Sequence, residues 1–144
     1  MQILDVSIQN DQGQSVTVLV SGNNYRILQT VIVNEDISNL SSGFVIRNMR
    51  GLDIFGVTNT TSQVTIPHLE AGSIVEIFVD VNAWLGAGDY FLLVANAESD
   101  GTQCDCWMNS IHFNVIDTPN IFTTSIVNLN PKFGLKIKQD RSYG

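Results

Sequence analysis

Two histidines, two cysteines and fourteen carboxylates are the groups from which this chain of 144 residues could build a nucleophile, a general base or a metal site. His68 and His112 fall in different segments, with no H-E-x-x-H or H-x-H spacing to bring two imidazoles to one metal. Cys104 and Cys106 would share a strand face with α-carbons about 6.7 Å apart, at the outer limit for a disulfide. A single C-x-C with no histidine nearby cannot complete a zinc tetrahedron. The pair reads as reduced, half-buried strand thiols, which suits a cytosolic compartment. Glu76 and Asp80 share a face about 13 Å apart along a strand, whereas glycosidase carboxyl groups stand roughly 5–9.5 Å apart. The chain has no G-x-S-x-G elbow, no catalytic-cysteine context and no G-x-x-x-x-G-K-[ST] phosphate loop. The expectation is a non-enzyme with no catalytic residue, no metal and no cofactor.

What remains is a set of rings and polar side chains on strand-like segments. Planar rings stack on the apolar faces of sugars, and amides and guanidinium groups hydrogen-bond hydroxyls. Arg26, Arg47, Tyr90, Trp107, Asn109 and His112 are the candidate carbohydrate-binding residues on that argument. Each also has an ordinary structural reading: Tyr90 and Trp107 as core or rim rings, Arg47 as a solvated strand-face arginine, His112 as a hydrogen-bonded surface histidine. Two sequons, Asn39-Leu-Ser41 and Asn59-Thr-Thr61, carry little weight, because no basic n-region and apolar h-region open the chain.

The elements that must position these residues read as strands. Short apolar or alternating runs near 2–9, 15–20, 25–34, 43–50, 53–57, 62–66, 73–81, 88–97, 104–116, 121–129 and 134–139 are separated by Gly, Asn, Asp and Ser clusters. Asp100-Gly101 suits a tight hairpin turn. At most one helical turn is expected, near 36–40 or 81–85. Alternation points Val75, Ile77, Val79 and Val81 one way and Ile74, Glu76, Phe78 and Asp80 the other. Phe44 and Ile46 face inward against Val45, Arg47 and Met49, and Ile111, Phe113 and Val115 against Met108, Ser110, His112 and Asn114. Two sheets with one apolar face each must stack. The fold class is therefore all-β, an antiparallel β-sandwich of immunoglobulin-like or jelly-roll type. It forms one domain over 1–118, with strands or tail over 119–144. Pro119 breaks the ladder, and the segment beyond it either closes its own sandwich or exchanges a strand in a dimer.

Composition agrees with a packed domain, at 44% hydrophobic and 15% charged. Seven Lys and Arg against fourteen Asp and Glu give a net charge of −7, the wrong sign for a phosphate-tracking nucleic-acid binder. The longest apolar stretch, Tyr90–Ala95, falls far short of the ~20 residues of a membrane span.

Three pieces of the chain, taken in order, resemble a known family. They are Gly43–Thr60, with its Gly-x-x-Ile and paired glycines before Asn-Thr; Leu69-Glu-Ala-Gly72 with Leu85-Gly-Ala-Gly-Asp-Tyr90; and Trp107–Val115 ending in Phe-x-Val. Together they resemble the C-terminal domain of Wzt, the ATP-binding subunit of ABC transporters that export O-antigen polysaccharide. The resemblance implies a cytoplasmic carbohydrate-binding module, peripheral to the inner membrane. Its partners would be the non-reducing end of the O-antigen polysaccharide, a second copy in a homodimer, and the transporter's membrane subunit through an attached ATPase domain. Gly43, Gly51 and Gly56 are expected to serve backbone geometry. The rival reading is a structural or assembly sandwich that binds no glycan.

Overall fold

The computed structural model describes residues 1–98 and 103–117. The expected hairpin at Asp100-Gly101, the strands beyond Pro119 and the tail's role in a dimer lie outside these residues. Eight strands follow one another: β1 (Gln2–Gln9), β2 (Val18–Val20), β3 (Asn24–Ile32), β4 (Leu40–Asn48), β5 (Asp53–Thr58), β6 (Ile74–Asn82), β7 (Gly88–Glu98) and β8 (Gln103–Ile116). They form a three-stranded sheet ordered β1-β3-β6 and a five-stranded sheet ordered β2-β8-β7-β4-β5. All pairings are antiparallel except β2 with β8. A split first strand, half on each sheet, with β3 and β6 facing β8, β7, β4 and β5, is an immunoglobulin-like arrangement. No helix occurs among the described residues, within the expected limit of at most one helical turn.

Alternation explains the layering. In β4 every second residue is buried, Phe44 and Ile46 among them, and in β3 Tyr25, Ile27, Gln29 and Val31 turn inward. Tyr90, Leu92 and Val94 of β7 and Phe113 and Val115 of β8, beside β4 in the five-stranded sheet, fill the same core, and the Tyr90 and Phe113 rings stack 5.6 Å apart. Through this apolar layer runs a buried polar link: Gln29 on β3 bonds Ser42 on β4 and Asn96 on β7. No buried side-chain polar atom among the described residues lacks a partner.

Residues 62–66, expected as a strand, form a loop. Local side-chain hydrogen bonds outcompete a ladder there. Thr58 and Thr61 each donate their backbone N–H to the other's hydroxyl oxygen at 3.0 Å, and the Asn59 side chain ties Ser42 N–H to the carbonyls of Leu40 and Val64. Gln63 takes φ +59°, which ends any extended run.

Candidate functional site

The register of the five-stranded sheet aligns side chains in rows across its outer face. Arg47 on β4 stands opposite Asp53 on β5 and Phe91 on β7, and Phe91 stands opposite His112 on β8. The β4–β5 hairpin sets the first of these pairings. The Asn48 side-chain oxygen accepts from the N–H groups of Arg50 and Leu52 at 3.0 Å each, and Gly51 supplies the φ of +80° that the turn requires. That closes the chain so that Arg47 Nε donates to Asp53 Oδ1. The His112 ring stacks on Phe91 with centroids 5.0 Å apart, and its Nε2 lies 3.1 Å from Asp89 Oδ1. Asn114 also donates to Asp89, and this bond, followed by the one from His112, holds the Asp89 carboxyl below its ordinary pKa.

Beside the row lies a trough of about 290 Å³ floored by small residues. The register brings Gly43 opposite Thr58 and Ala95, Gly56 opposite Val45, and Ser41 opposite Ala97. Here Gly43 and Gly56 depart from the expectation of backbone geometry. Among the three glycines considered, only Gly51 has positive φ. Gly43 answers to space, since a Cβ there would stand 3.2 Å from Thr58 Cγ2 and 3.3 Å from the Val57 carbonyl oxygen. Beyond Thr58 and Thr61 the trough runs into a wider depression of about 810 Å³, edged by Asn39, Asn59, Thr60, Gln63 and Glu98. Hydroxyls, amides and the Glu98 carboxylate rim it.

Of the six residues nominated from sequence, Arg47 and His112 share this face, on either side of Phe91. Asn109 is exposed in β8 where three residues, Met108–Ser110, oppose the single Leu93. The Trp107 ring shares the face of its partner Val94 and packs half-buried against the core. Tyr90 is buried at 3% exposure and donates its hydroxyl to the Gly86 carbonyl, and burial raises its pKa, so its ring offers no ligand platform. Arg26 belongs to the opposite sheet. It is bidentate to Asp80 at 2.7 and 3.1 Å, lies 3.9 Å over the Phe78 ring, and borders a separate groove of about 510 Å³.

Sequence reasoning missed Phe91, Asp53 and the glycine–alanine floor. Parity along 88–97 could have found Phe91, because a core Tyr90 forces its neighbour outward. The floor needs the β4–β5–β7 register, which no single strand contains.

Elsewhere, His68 lies between two side chains, with Nδ1 2.7 Å from Ser38 Oγ and Nε2 3.4 Å from Asp36 Oδ2. Both the His68 and the Asp36 side chains are more than half exposed. Asp36 also accepts from Ala71 N–H, the chief cause of its lowered pKa. These contacts tie the loop before β4 to the loop before β6, alongside the paired backbone bonds of Ile37 and Leu69. Cys104 and Cys106 are not joined: Cys104 packs near Val33, Ile37 and Leu40, while the Cys106 thiol meets the Met108 sulfur at 3.6 Å. No group of three or more His, Cys, Asp or Glu suited to a metal occurs among the described residues. No helix of the described residues is long and apolar enough to cross a membrane.

A family model described as the Wzt C-terminal domain matches residues 1–129. A crystal structure of the C-terminal domain of Wzt superposes with a TM-score of 0.84 at 21% identity, covering 94% of this chain and 83% of the other. A Niemann-Pick type C2 protein from the Japanese carpenter ant superposes with a TM-score of 0.54 at 12% identity, covering 81% and 92%. At such identities these likenesses speak to the fold. No curated protein sequence matches the chain.

Proposed function

The chain belongs to the Wzt C-terminal domain family, and from that premise we propose that it is a non-catalytic module that holds O-antigen polysaccharide for export by an ABC transporter. The observation that carries the reading is the row Asp53, Arg47, Phe91 and His112 beside a small-residue trough on one sheet face. Neighbouring strands present these groups at about 4.8 Å intervals on a rigid frame, so little ordering entropy is lost when a glycan chain settles along them. The Phe91–His112 stack supplies an aromatic surface for an apolar sugar face. The Arg47–Asp53 pair supplies donors and an acceptor for hydroxyls, and the trough leaves room for a ring where larger side chains would stand.

In this reading the module engages the non-reducing end of the polysaccharide in the cytoplasm, at the inner membrane. It acts as a homodimer to which residues 119–144 contribute, and an ATPase domain links it to the transporter's membrane subunit. Two binding faces on one dimer raise the effective concentration of a second contact along one chain.

Calorimetric and NMR titration of the protein with its own O polysaccharide, with and without any terminal cap, tests the reading. The expected result is heat of binding together with shifts confined to the β4–β5–β7–β8 face. No heat and no shift with either form would overturn it in favour of an assembly domain.

A further inference from the structure

Resting on that reading, we infer that the glycan taken by the five-stranded face is uncharged, and that no anionic cap is read there. Among the described residues, the basic side chains of the two outer sheet faces are already engaged. Arg47 Nε donates to Asp53, His112 Nε2 lies 3.1 Å from Asp89, and on the opposite sheet Arg26 is clamped bidentately by Asp80. Asp53 stands at one end of the row and Asp89 beside the other, so a phosphate or carboxylate entering it meets two like charges, one of them already bonded to the Arg47 Nε. Arg50 sits in the exposed β4–β5 turn, outside the row.

The donor and acceptor inventory points the same way. A phosphate or carboxylate oxygen only accepts hydrogen bonds, whereas a sugar hydroxyl both donates and accepts. The Arg47–Asp53 pair offers both functions side by side: the terminal guanidinium nitrogens as donors, and Asp53 Oδ2 as an acceptor. The trough beside the row has an uncharged glycine and alanine floor. Such a surface matches vicinal hydroxyls on an uncharged ring and gives no return for desolvating an anion.

The test uses the whole chain and two probes: methyl phosphate, as the simplest phosphoester cap, and the protein's own O polysaccharide. The Arg47 Nε–H resonance is expected to stay in place with methyl phosphate at about 20 mM, and to move in an Asp53→Asn variant whose guanidinium has lost its partner. Polysaccharide affinity is expected to change by less than about twofold between roughly 50 and 500 mM NaCl, because no ion pair forms on binding. A wild-type Arg47 shift with methyl phosphate, or a polysaccharide affinity that falls tenfold or more with salt, overturns this inference and leaves glycan binding standing. A polysaccharide that fails to bind at any salt concentration overturns the underlying reading, and this inference with it.

Discussion

Gln29 and Asn96 exchange side-chain hydrogen bonds between the two sheets, Gln29 Nε2 to Asn96 Oδ1 at 3.1 Å and Asn96 Nδ2 to Gln29 Oε1 at 2.8 Å, with both residues at 0% exposure. Gln29 also donates to Ser42 Oγ at 2.7 Å, so β3 is pinned to β4 and β7 at one level of the core. β4 and β7 carry the trough floor on their opposite faces, so this link helps fix the register on which the site depends. Gln29→Ala is expected to destabilise the fold by about 2–4 kcal/mol, because it opens a cavity and strands two buried polar groups. Replacing the set together, as Gln29→Met, Ser42→Ala and Asn96→Leu, is expected to recover most of that loss, since no buried group is then left unpaired. Urea denaturation of the wild type and both variants checks both expectations.

Much of the layering was legible in the sequence because one rule governs it. Alternation placed Phe44, Ile46, Phe113 and Val115 inside and Arg47 and His112 outside without knowledge of any neighbour. What escaped depended on partners. Nothing in the residue types of Gln29 and Asn96 marks them as buried, because each depends on the other for its hydrogen bonds. Asn109 shares the inward parity of Ile111, Phe113 and Val115, yet it lies exposed where three residues of β8 oppose the single Leu93. Segment 62–66 has strand composition, yet Thr58, Asn59 and Thr61 bond it into a loop. The site was half legible, since Arg47 and His112 sit on strands whose faces parity assigns. Phe91, which joins them, becomes a site residue only once β7 is known to lie between β4 and β8.

The aromatic part of the row is separable from the fold. His112 is exposed and Phe91 only half-buried, outside the core clusters. Phe91→Ala and His112→Ala are each expected to leave the strand spectrum unchanged by circular dichroism while weakening polysaccharide binding by about tenfold, or about 1.4 kcal/mol. Calorimetric titration of both variants against wild type decides it. Unchanged affinity in both would remove the stack from the binding surface.

Filling the trough should uncouple stability from binding. A Cβ at Gly56 would find its nearest neighbour, Val45 Cγ2, at an ordinary 3.8 Å. Gly56 has no positive φ, and glycine inside a strand costs roughly 0.5–1 kcal/mol relative to alanine. Gly56→Val is therefore expected to hold or raise the melting temperature while lowering glycan affinity at least tenfold. At Gly43 the clearances are tighter and the same substitution should cost stability as well, so Gly56 is the cleaner probe.

At the β2–β3 turn, Gly22 combines a φ of +88° with a space already filled by the Trp84 ring, into which a Cβ would project. Gly22→Ala therefore meets backbone strain and a clash together, and is expected to destabilise by about 2–4 kcal/mol. The Trp84 ring must shift to admit the methyl group, so the near-ultraviolet tryptophan signal should change with it. A variant that melts with the wild type and keeps that signal would mean the turn relaxes at no cost.

Acid should weaken the fold through three surface aspartates whose native pKa values are all depressed. Backbone donation from Ala71 lowers Asp36, the Arg26 hydrogen bond lowers Asp80, and Asn114 followed by His112 lowers Asp89. A carboxyl with a folded pKa below its unfolded value of about 3.9 adds stability above that pH and loses it as pH falls through the folded value. The melting temperature is thus expected to be level from about pH 5 to 7 with respect to these groups, and to decline below about pH 4. All three are solvent-exposed, so each contribution is small and falls further in salt. Asp80→Asn removes the charge that Arg26 holds, and should lower the neutral-pH melting temperature slightly while making the acid decline shallower. A wild-type acid decline unaffected by Asp80→Asn, Asp36→Asn and Asp89→Asn together would place the acid-sensitive group elsewhere in the chain.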